Sequence, residues 1–321
     1  MWDSLMQMAV VGSLPLLEGC GEYPWSHIRY WAKELVNLGF DVIGTGEPGW
    51  KHGYRMVERF TQDLEGIEIA RIGASFKSHC RGSIRAPKEP ENAKEVLENR
   101  YLKKIASSMG VKLKATITDP VTIGLELIGN DSRLLRSYPK FFADLTGALQ
   151  PIVEEISKAV DMVQFDCPAH AFRPIREPWR YVNDLIDYTL GKPTWLHIDG
   201  SLKGLFPTLL SDYHADVLCL NLFGEEEKEN LSALETYSGK LQKCGKKVAV
   251  SCINTQIQDD PYVVEGKEIV ISRLEELKGA LSENLNPVEA IMPGCGLNLL
   301  PKTTHQILKT LKEAIKEDGR Q

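Results

Sequence analysis

The chain has 321 residues, of which 43% are hydrophobic and 26% are charged, and its formal net charge is -6 at pH 7. This is enough to bury a large core, as one α/β domain or as two smaller ones. The negative net charge and the scattered basic residues argue against a nucleic-acid partner. No apolar run approaches the roughly 20 residues needed to cross a bilayer, and the N-terminal apolar stretch is too short for a signal peptide. We therefore expect a cytoplasmic protein with neither a nucleic-acid nor a membrane partner.

The cysteines are seven in number, and no two of them form a C-x-x-C pair. An odd number without such spacing is typical of free thiols in a reducing compartment. Most free cysteines act as small buried hydrophobic residues. A cysteine at the end of a strand is therefore the unusual case.

Short β-branched runs alternate with longer amphipathic stretches along the whole chain. The runs predict eight strands, at residues 8–13, 40–46, 111–118, 161–166, 194–199, 216–221, 247–254 and 289–294. The amphipathic stretches predict helices, among them residues 25–39, 90–110, 141–159, 272–283 and 303–319. Each helix pattern is an apolar stripe, as in the last one, where Ile307, Leu308, Leu311 and Ile315 share a face.

This alternation predicts a single α/β domain over residues 1–321, folded as a (β/α)8 TIM barrel. A doubly wound open sheet is the main alternative. The first strand-to-helix junction, "VVGSLPLLEG", lacks the G-x-G-x-x-G pattern of a dinucleotide fold. Residues 66–90 are interpreted as an insertion, forming a hairpin over one end of the barrel.

Polar residues follow the predicted strands at their C-terminal ends, where a barrel places its chemistry. They are Ser13, Glu47, Asp119, Asp166, His197, Asp199, Asn221, Asn254 and Cys295. For any single member, capping of the next helix is the simpler interpretation, and we favour it for Asp119 and Asn254. For the whole set, a functional site is the better interpretation.

Two short strings carry the sharpest hypotheses. In "TWLHIDGSLKG" (194–204), His197 and Asp199 are two residues apart and so point the same way from a strand. They could form a metal site, a hydrogen-bonded pair or the end of a core strand. In "MPGCGLNLLPK" (292–302), Cys295 lies between two glycines before the last helix. A helix dipole at that position would lower the pKa of the thiol, whereas the alternative is an inert residue in a tight turn.

The order of these motifs resembles the catalytic C-terminal domain of cobalamin-independent methionine synthase, over nearly the whole chain. That domain belongs to a barrel superfamily shared with uroporphyrinogen decarboxylase and corrinoid methyltransferases. The matching segments are "VVGSLP", "DVIGTGEPGWKHGYRMVERF", "ATITDPVTIG", "VQFDCPAH", "HIDGSL", "DVLCLNLFG" and "PGCGL". The last of these is the most specific.

The resemblance implies a zinc ion that activates the thiol of homocysteine. His197 and Cys295 fall on the family's ligand positions. Asp199 stands where the family has Cys, and Asn221 stands where it has Glu. Asp can bind zinc, and Cys219 should face the same way as Asn221, so Asp199 and Cys219 are the further candidate ligands. Loss of the metal with retention of the cavity is the alternative.

The resemblance also implies an amino-acid pocket, in which Ser13, Glu47 and Asp166 hold the carboxylate and ammonium of the substrate. Features for a pterin donor are weaker, since Cys167 replaces a family Glu and no Trp follows "DPVT". The implied function is a methyltransferase, moving a methyl group from a methylcorrinoid protein or a methyl-tetrahydropterin to a thiol such as homocysteine.

Three other interpretations stay open. One is a corrinoid-system methyltransferase that demethylates a small ether or amine. A weaker one is decarboxylation, for which the basic residues Arg81 and Arg85 lie in the insertion instead of at a strand end. The third is a non-catalytic barrel that binds a corrinoid protein.

Overall fold

Eight parallel strands surrounded by helices form a nearly closed barrel, so the predicted TIM barrel is confirmed. This architecture is seen in a computed structural model, which describes residues 7–15, 17, 25–44, 56–72, 75–128, 138–172, 176–223, 226–255, 263–281, 287–297 and 299–319. A single parallel bridge between Ala9 and Val42 joins the two edge strands of the sheet.

The strands, numbered in chain order, have the following bounds: β1 Gln7–Met8, β2 Val42–Gly44, β3 Glu65–Ile72, β4 Ser75–Arg85, β5 Lys112–Thr118, β6 Met162–Asp166, β7 Thr194–Ile198, β8 Val217–Leu220, β9 Lys247–Ile253 and β10 Val288–Pro293. The barrel sheet runs in the order β1-β10-β9-β8-β7-β6-β5-β2, and β3 pairs with β4 in a separate antiparallel hairpin. That hairpin occupies the segment interpreted as an insertion, and β4 packs against α2, α4 and α5, whose bounds follow.

The helices are α1 Trp25–Asn37, α2 Met56–Thr61, α3 Lys94–Met109, α4 Pro120–Ile128, α5 Tyr138–Ala159, α6 Ala169–Phe172, α7 Trp179–Ile186, α8 Phe206–Ser211, α9 Glu227–Lys243, α10 Lys267–Ala280 and α11 Pro301–Glu317. Among these residues, no helix combines the length and the apolar character that a bilayer span requires. Gly110 ends α3 with a φ of 72°, the left-handed conformation that glycine adopts without strain.

The core has two parts because each barrel strand is buried on both faces. The larger part lies between the sheet and the helices, where β5 contributes Leu113, Ala115 and Ile117. The smaller part fills the inside of the barrel and includes Met162, Trp195, Cys219, Ala249 and Met292. Full burial of one such large side chain contributes about 1.5–3 kcal/mol, so these two layers hold the strand ends in place.

Two predicted strands are shorter than expected. The first pairs only over Gln7–Met8 and the Ala9 bridge, and the second only over Val42–Gly44. Beyond Ala9, Val11, Gly12 and Ser13 line a cavity at the strand ends.

Candidate metal centre and cavity

A cavity of about 210 Å³ opens at the C-terminal ends of the barrel strands. Carboxylate, thiol and hydroxyl groups face it together with apolar side chains. Its polar lining consists of Ser13, Arg59, Thr116, Thr118, Asp166, Asp199 and Cys295. A space of this size admits a small molecule but not a polymer segment.

Three side chains converge beside this cavity. His197, on β7, is fully buried, and its Nε2 lies 3.4 Å from Oδ1 of Asp199. The thiol of Cys295 donates to Oδ2 of Asp199 over 3.3 Å. One potential ligand atom from each residue lies within 4.8 Å of the other two. This spacing is that of donors placed around a common centre, and we call the three residues the HDC group.

Local backbone explains how these side chains meet. β7 ends at Ile198, so His197 and Asp199 leave the strand on the same side, and Gly200 then turns the chain with a φ of 90°. Cys295 approaches from the loop after β10, where Gly296 permits close packing. A Cβ atom on Gly296 would lie 2.7 Å from Oγ of Ser13, a contact that real side chains do not make.

Several buried polar atoms of the HDC group have no hydrogen-bond partner among the residues that the structure describes. They are both ring nitrogens of His197 and Oδ1 of Asp199, and Oδ1 of the neighbouring Asp166 is in the same state. Each unpaired buried polar atom costs about 1–3 kcal/mol. Imidazole nitrogen, carboxylate oxygen and thiolate sulfur are all zinc ligands. A divalent ion therefore fits the site, because it would bind ligand atoms that make no hydrogen bond with the described residues.

A second group of His, Cys and Asp has its polar atoms hydrogen-bonded within the protein. Asp119, Cys167 and His170 also place ligand atoms within 4.8 Å of one another. Here Nε2 of His170 lies 2.9 Å from Oδ1 of Asp119, and Nδ1 is hydrogen-bonded to the Tyr213 hydroxyl. The backbone N–H of Val121 donates to Asp119 over 2.8 Å, which confirms that Asp119 caps α4. Because its polar atoms are paired, this group is a closed network that needs no ion.

In the HDC group, the positive charge of His197 and the negative charge of Asp199 stabilise each other. Burial lowers the pKa of His197, but the charge of Asp199 and the contacts with Asp199 and Cys295 outweigh it and raise that pKa well above its usual value. Burial would raise the pKa of Asp199, but the His197 charge holds it below the usual value. Burial also raises the pKa of Asp166 to about 6, against the lowering effect of His197.

The prediction that a helix dipole lowers the pKa of the Cys295 thiol was wrong. α11 begins at Pro301, so Cys295 does not lie at the helix start. Burial first, and then the charge of Asp199, raise the pKa of Cys295 to about 11. The helix dipole therefore does not provide a thiolate here. His197 acts to lower this pKa, and a cation bound directly to the sulfur would lower it further.

The other predicted site residues have different outcomes. Ser13 and Asp166 line the cavity, and the Asp166 side chain is 21% exposed. Glu47 lies outside the described residues. Cys219 does not belong to the HDC group, because it is buried inside the barrel, where its Sγ lies 3.9 Å from Oε1 of Gln164. The side chain of Asn221 contacts Asp199, and its Oδ1 accepts from the Ser251 hydroxyl over 3.2 Å.

Two charged residues near the cavity escaped the sequence interpretation. Lys114, on β5, is completely buried inside the barrel. Arg59, on α2, lines the cavity while its Nε donates over 2.8 Å to Glu95 on α3. Glu98, also on α3, lies 3.7 Å from the same guanidinium. A single Arg thus faces two buried carboxyl groups behind the cavity wall.

This cluster predicts a pH-dependent stability. Burial, reinforced by the charge of Glu95, raises the pKa of Glu98 to about 8. The folded state therefore holds a proton that the unfolded state releases above about pH 4.5. The contribution of protonated Glu98 to the free energy of unfolding is fully present below about pH 4.5. It is lost as the pH rises through about 8. We expect Glu98→Gln, which keeps the neutral form, to stabilise the protein more at pH 9 than at pH 6, measured by urea unfolding. An equal effect at the two pH values would contradict this.

Comparison with known proteins rests on structure alone. No protein-family model matches the chain, and no curated protein matches it either. A solved B12-independent methionine synthase from Shewanella sp. W3-18-1, in complex with selenomethionine, is similar over 98% of this chain and 98% of that chain, at 19% identity and a TM-score of 0.72. A catalytic module of a pneumococcal exo-β-D-N-acetylglucosaminidase is similar over 98% of this chain and 86% of that chain, at 12% identity and a TM-score of 0.55.

These two proteins catalyse different reactions on one architecture, so the likeness shows the fold and leaves the reaction to the site. The chain is thus a (β/α)8 barrel with a candidate metal centre at the C-terminal ends of its strands. Its fold is similar, from end to end, to that of a B12-independent methionine synthase.

Proposed function

We propose that the protein is a metal-dependent methyltransferase that methylates a thiol amino acid such as homocysteine. The observation that carries this proposal is the HDC group beside a small cavity, with ring nitrogens of His197 and an oxygen of Asp199 that make no hydrogen bond with the described residues. The end-to-end likeness to a methionine synthase structure adds support. The selenomethionine in that structure is an analogue of a methylated thiol amino acid.

His197, Asp199 and Cys295 would hold the metal, which we propose to be zinc. When bound, zinc lowers the pKa of a coordinated thiol and makes a thiolate available at neutral pH. With three protein ligands, the metal would keep a position open for the substrate thiol, as catalytic zinc sites do. With only one sulfur, one nitrogen and one oxygen from the protein, this donor set is harder than a thiolate-rich site.

Asp166 would bind the ammonium of the substrate. Its carboxylate faces the cavity, and its Oδ1, 3.9 Å from Nε2 of His197, has no hydrogen-bond partner among the described residues. Ser13 also lies on the cavity wall, where its hydroxyl and backbone suit a carboxylate. The two residues thus offer complementary ends to a zwitterion, with the thiol directed at the HDC group.

The transfer is a displacement at the methyl carbon. The substrate sulfur supplies the electron pair of the new S–C bond, and the bond between the methyl group and its donor breaks. The donor leaves with that electron pair, so a methylcorrinoid would return as the reduced corrinoid and a methyl-tetrahydropterin as the tetrahydropterin. We favour a corrinoid protein as the partner, because Cys167 and the residues after "DPVT" depart from the pterin-using pattern.

A second candidate function is favoured by the single sulfur of the HDC group. A harder site suits activation of a leaving oxygen or nitrogen, as in the demethylation of a small ether or amine by a corrinoid system. The two candidate functions differ in the direction of methyl transfer. Methylation of a thiol requires a substrate that accepts a methyl group, whereas demethylation of an ether or amine requires a substrate that already carries one.

The test uses zinc-loaded protein with methylcobalamin or methyl-tetrahydrofolate as the donor. We expect methionine to form from homocysteine, detected by mass spectrometry, and no methylated product from homoserine, which has oxygen in place of sulfur. Methyl transfer from a methoxyaromatic or methylamine to reduced cobalamin, without methylation of homocysteine, would establish the second candidate. Tight cobalamin-protein binding without either turnover would point to the non-catalytic barrel.

The ligand exchange at residue 199 gives a separate prediction. Asp199→Cys restores the sulfur that the methionine synthase pattern has at this position, and the Asp199 side chain already contacts both His197 and Cys295. We expect zinc affinity to rise by about tenfold or more, since thiolate is a softer ligand for zinc than carboxylate. Competition with a chromophoric chelator would measure it. An unchanged or lower affinity would show that residue 199 does not face the metal.

A further inference from the structure

Lys114 carries a positive charge into the interior of the barrel. Its side chain is fully buried, although lysine is almost never fully buried unless it is paired. Its ammonium donates to Oε1 of Gln164 and lies 4.5 Å from the ring centroid of Trp195. Among the described residues, no carboxylate lies within ion-pair distance of it. The charge is therefore held by an amide oxygen and an aromatic face, without a direct counter-ion.

The two partners of Lys114 connect it to the site through the strands. Gln164 lies two residues before Asp166 on β6, and Trp195 lies two residues before His197 on β7. Residues two apart on a strand share a face and are separated by about 7 Å. Gln164 is fixed by its own donation to the carbonyl of Val11 over 3.0 Å. The ammonium thus lies one layer below Asp166 and the HDC group.

Fold stability does not explain this lysine. Replacement of a buried charge by an apolar side chain of similar volume is often neutral or stabilising. Burial lowers the pKa of Lys114 to about 8, while the charges of Cys219 and Asp166 raise it, so the group remains mainly protonated at pH 7. A cation at this depth acts on the groups above it through a medium of low dielectric constant.

We propose that Lys114 is a positioning residue, the internal counter-charge that allows the metal centre to bind an anionic ligand such as a substrate thiolate. A divalent ion held by Asp199 and Cys295 has its charge neutralised by these two ligands. A thiolate then adds one negative charge, with Asp166 close by, and the ammonium below compensates it. This role rests on the proposed metal centre but not on methyl transfer.

The proposal predicts opposite effects on two affinities when the charge is removed. Lys114→Met and Lys114→Gln remove a repulsion toward the divalent ion, so Co²⁺ affinity should rise. The same variants remove an attraction toward an anion, so cyanide affinity of the Co²⁺-loaded protein should fall by roughly tenfold or more. Imidazole, a neutral ligand, should bind as before. The visible spectrum of Co²⁺ reports each binding event without any turnover.

Lys246→Met serves as the matched control. Lys246 is a half-buried lysine that donates to the carbonyls of Tyr213 and Ala215 over 2.7 Å, away from the cavity. We expect this control to leave all three affinities unchanged. A parallel fall of Co²⁺, cyanide and imidazole affinity in the Lys114 variants would show a structural role and overturn the proposal. Unchanged affinities, or wild-type protein that binds no Co²⁺, would overturn it as well. The Lys114 variants could show the expected rise in Co²⁺ affinity and fall in cyanide affinity while the protein does not bind homocysteine. This result would support the role of Lys114 and contradict only the proposed methyl acceptor.

Discussion

Substitution of His197 by glutamine is expected to lower zinc affinity by about 100-fold or more. Apparent zinc affinities of roughly 10–16 kcal/mol are shared by four ligands, so loss of one strong ligand removes a few kcal/mol. Both ring nitrogens of His197 lack a hydrogen-bond partner among the described residues. The contact that the variant alters is the ion pair of Nε2 with Oδ1 of Asp199, 3.4 Å away, within the HDC group itself. Equilibrium competition with a chelator would measure the affinity.

His170→Gln provides the matched control for this prediction. His170 is equally buried and has a Cys and an Asp beside it, but its nitrogens are paired with Asp119 and Tyr213. We expect this variant to lose stability while it keeps wild-type zinc affinity. Loss of zinc in His170→Gln, with retention in His197→Gln, would move the metal centre to the wrong side of the sheet for the cavity and refute the assignment.

Substitution of Asp166 by asparagine should weaken the binding of homocysteine by about 10- to 100-fold. A hydrogen bond to a charged group contributes roughly 1.5–3 kcal/mol, and the exchange removes the charge while it preserves the shape. Isothermal titration of the zinc-loaded protein would measure the effect.

The control for Asp166→Asn is a ligand that lacks the ammonium. We expect 4-mercaptobutanoate, which keeps the thiol and the carboxylate, to bind the variant as tightly as it binds the wild type. If both ligands lose the same affinity, Asp166 supports the site in general and does not recognise the amine. If neither loses affinity, Asp166 takes no part in substrate binding.

Much of the barrel could be predicted from the chain because its strands repeat a simple pattern. Apolar runs bounded by polar residues gave strands such as β6 and β9 to within one residue or two. The two shortest strands, β1 and β2, were overestimated, since apolar residues such as Val10 and Val11 are buried against the barrel whether or not they pair in the sheet. A hydrophobic run predicts that residues are buried. It does not predict that they pair in a sheet, because pairing also needs a neighbouring strand.

The proximity of His197, Asp199 and Cys295 could be expected from their positions at strand ends. The lack of hydrogen bonds to the ring nitrogens of His197 and to Oδ1 of Asp199 among the described residues could not be expected, because it depends on how every neighbouring side chain is oriented. The sequence also could not distinguish the HDC group from Asp119, Cys167 and His170. The residue types are the same, and only the structure shows that the second group is internally hydrogen-bonded. The place of Cys219 two residues before Asn221 fixes the face of the strand on which it lies but not its depth, and the structure places it in the core inside the barrel.

Lys114 could have been found from the sequence. On β5, Leu113, Ala115 and Ile117 alternate with Lys114, Thr116 and Thr118. In a half-exposed strand the second set would face water, but both faces of a parallel barrel strand are buried. Once a barrel is predicted, this alternation places the lysine inside it.

X-ray absorption at the zinc edge, with and without homocysteine, tests the metal centre most directly. The geometry of His197, Asp199 and Cys295 predicts one zinc per chain with a single sulfur at about 2.3 Å and nitrogen or oxygen ligands at about 2.0–2.1 Å. Homocysteine should raise the number of sulfur ligands from one to two. A protein that retains no zinc, a shell without sulfur, or a sulfur number that homocysteine does not change would contradict a metal centre that presents a thiolate for methylation.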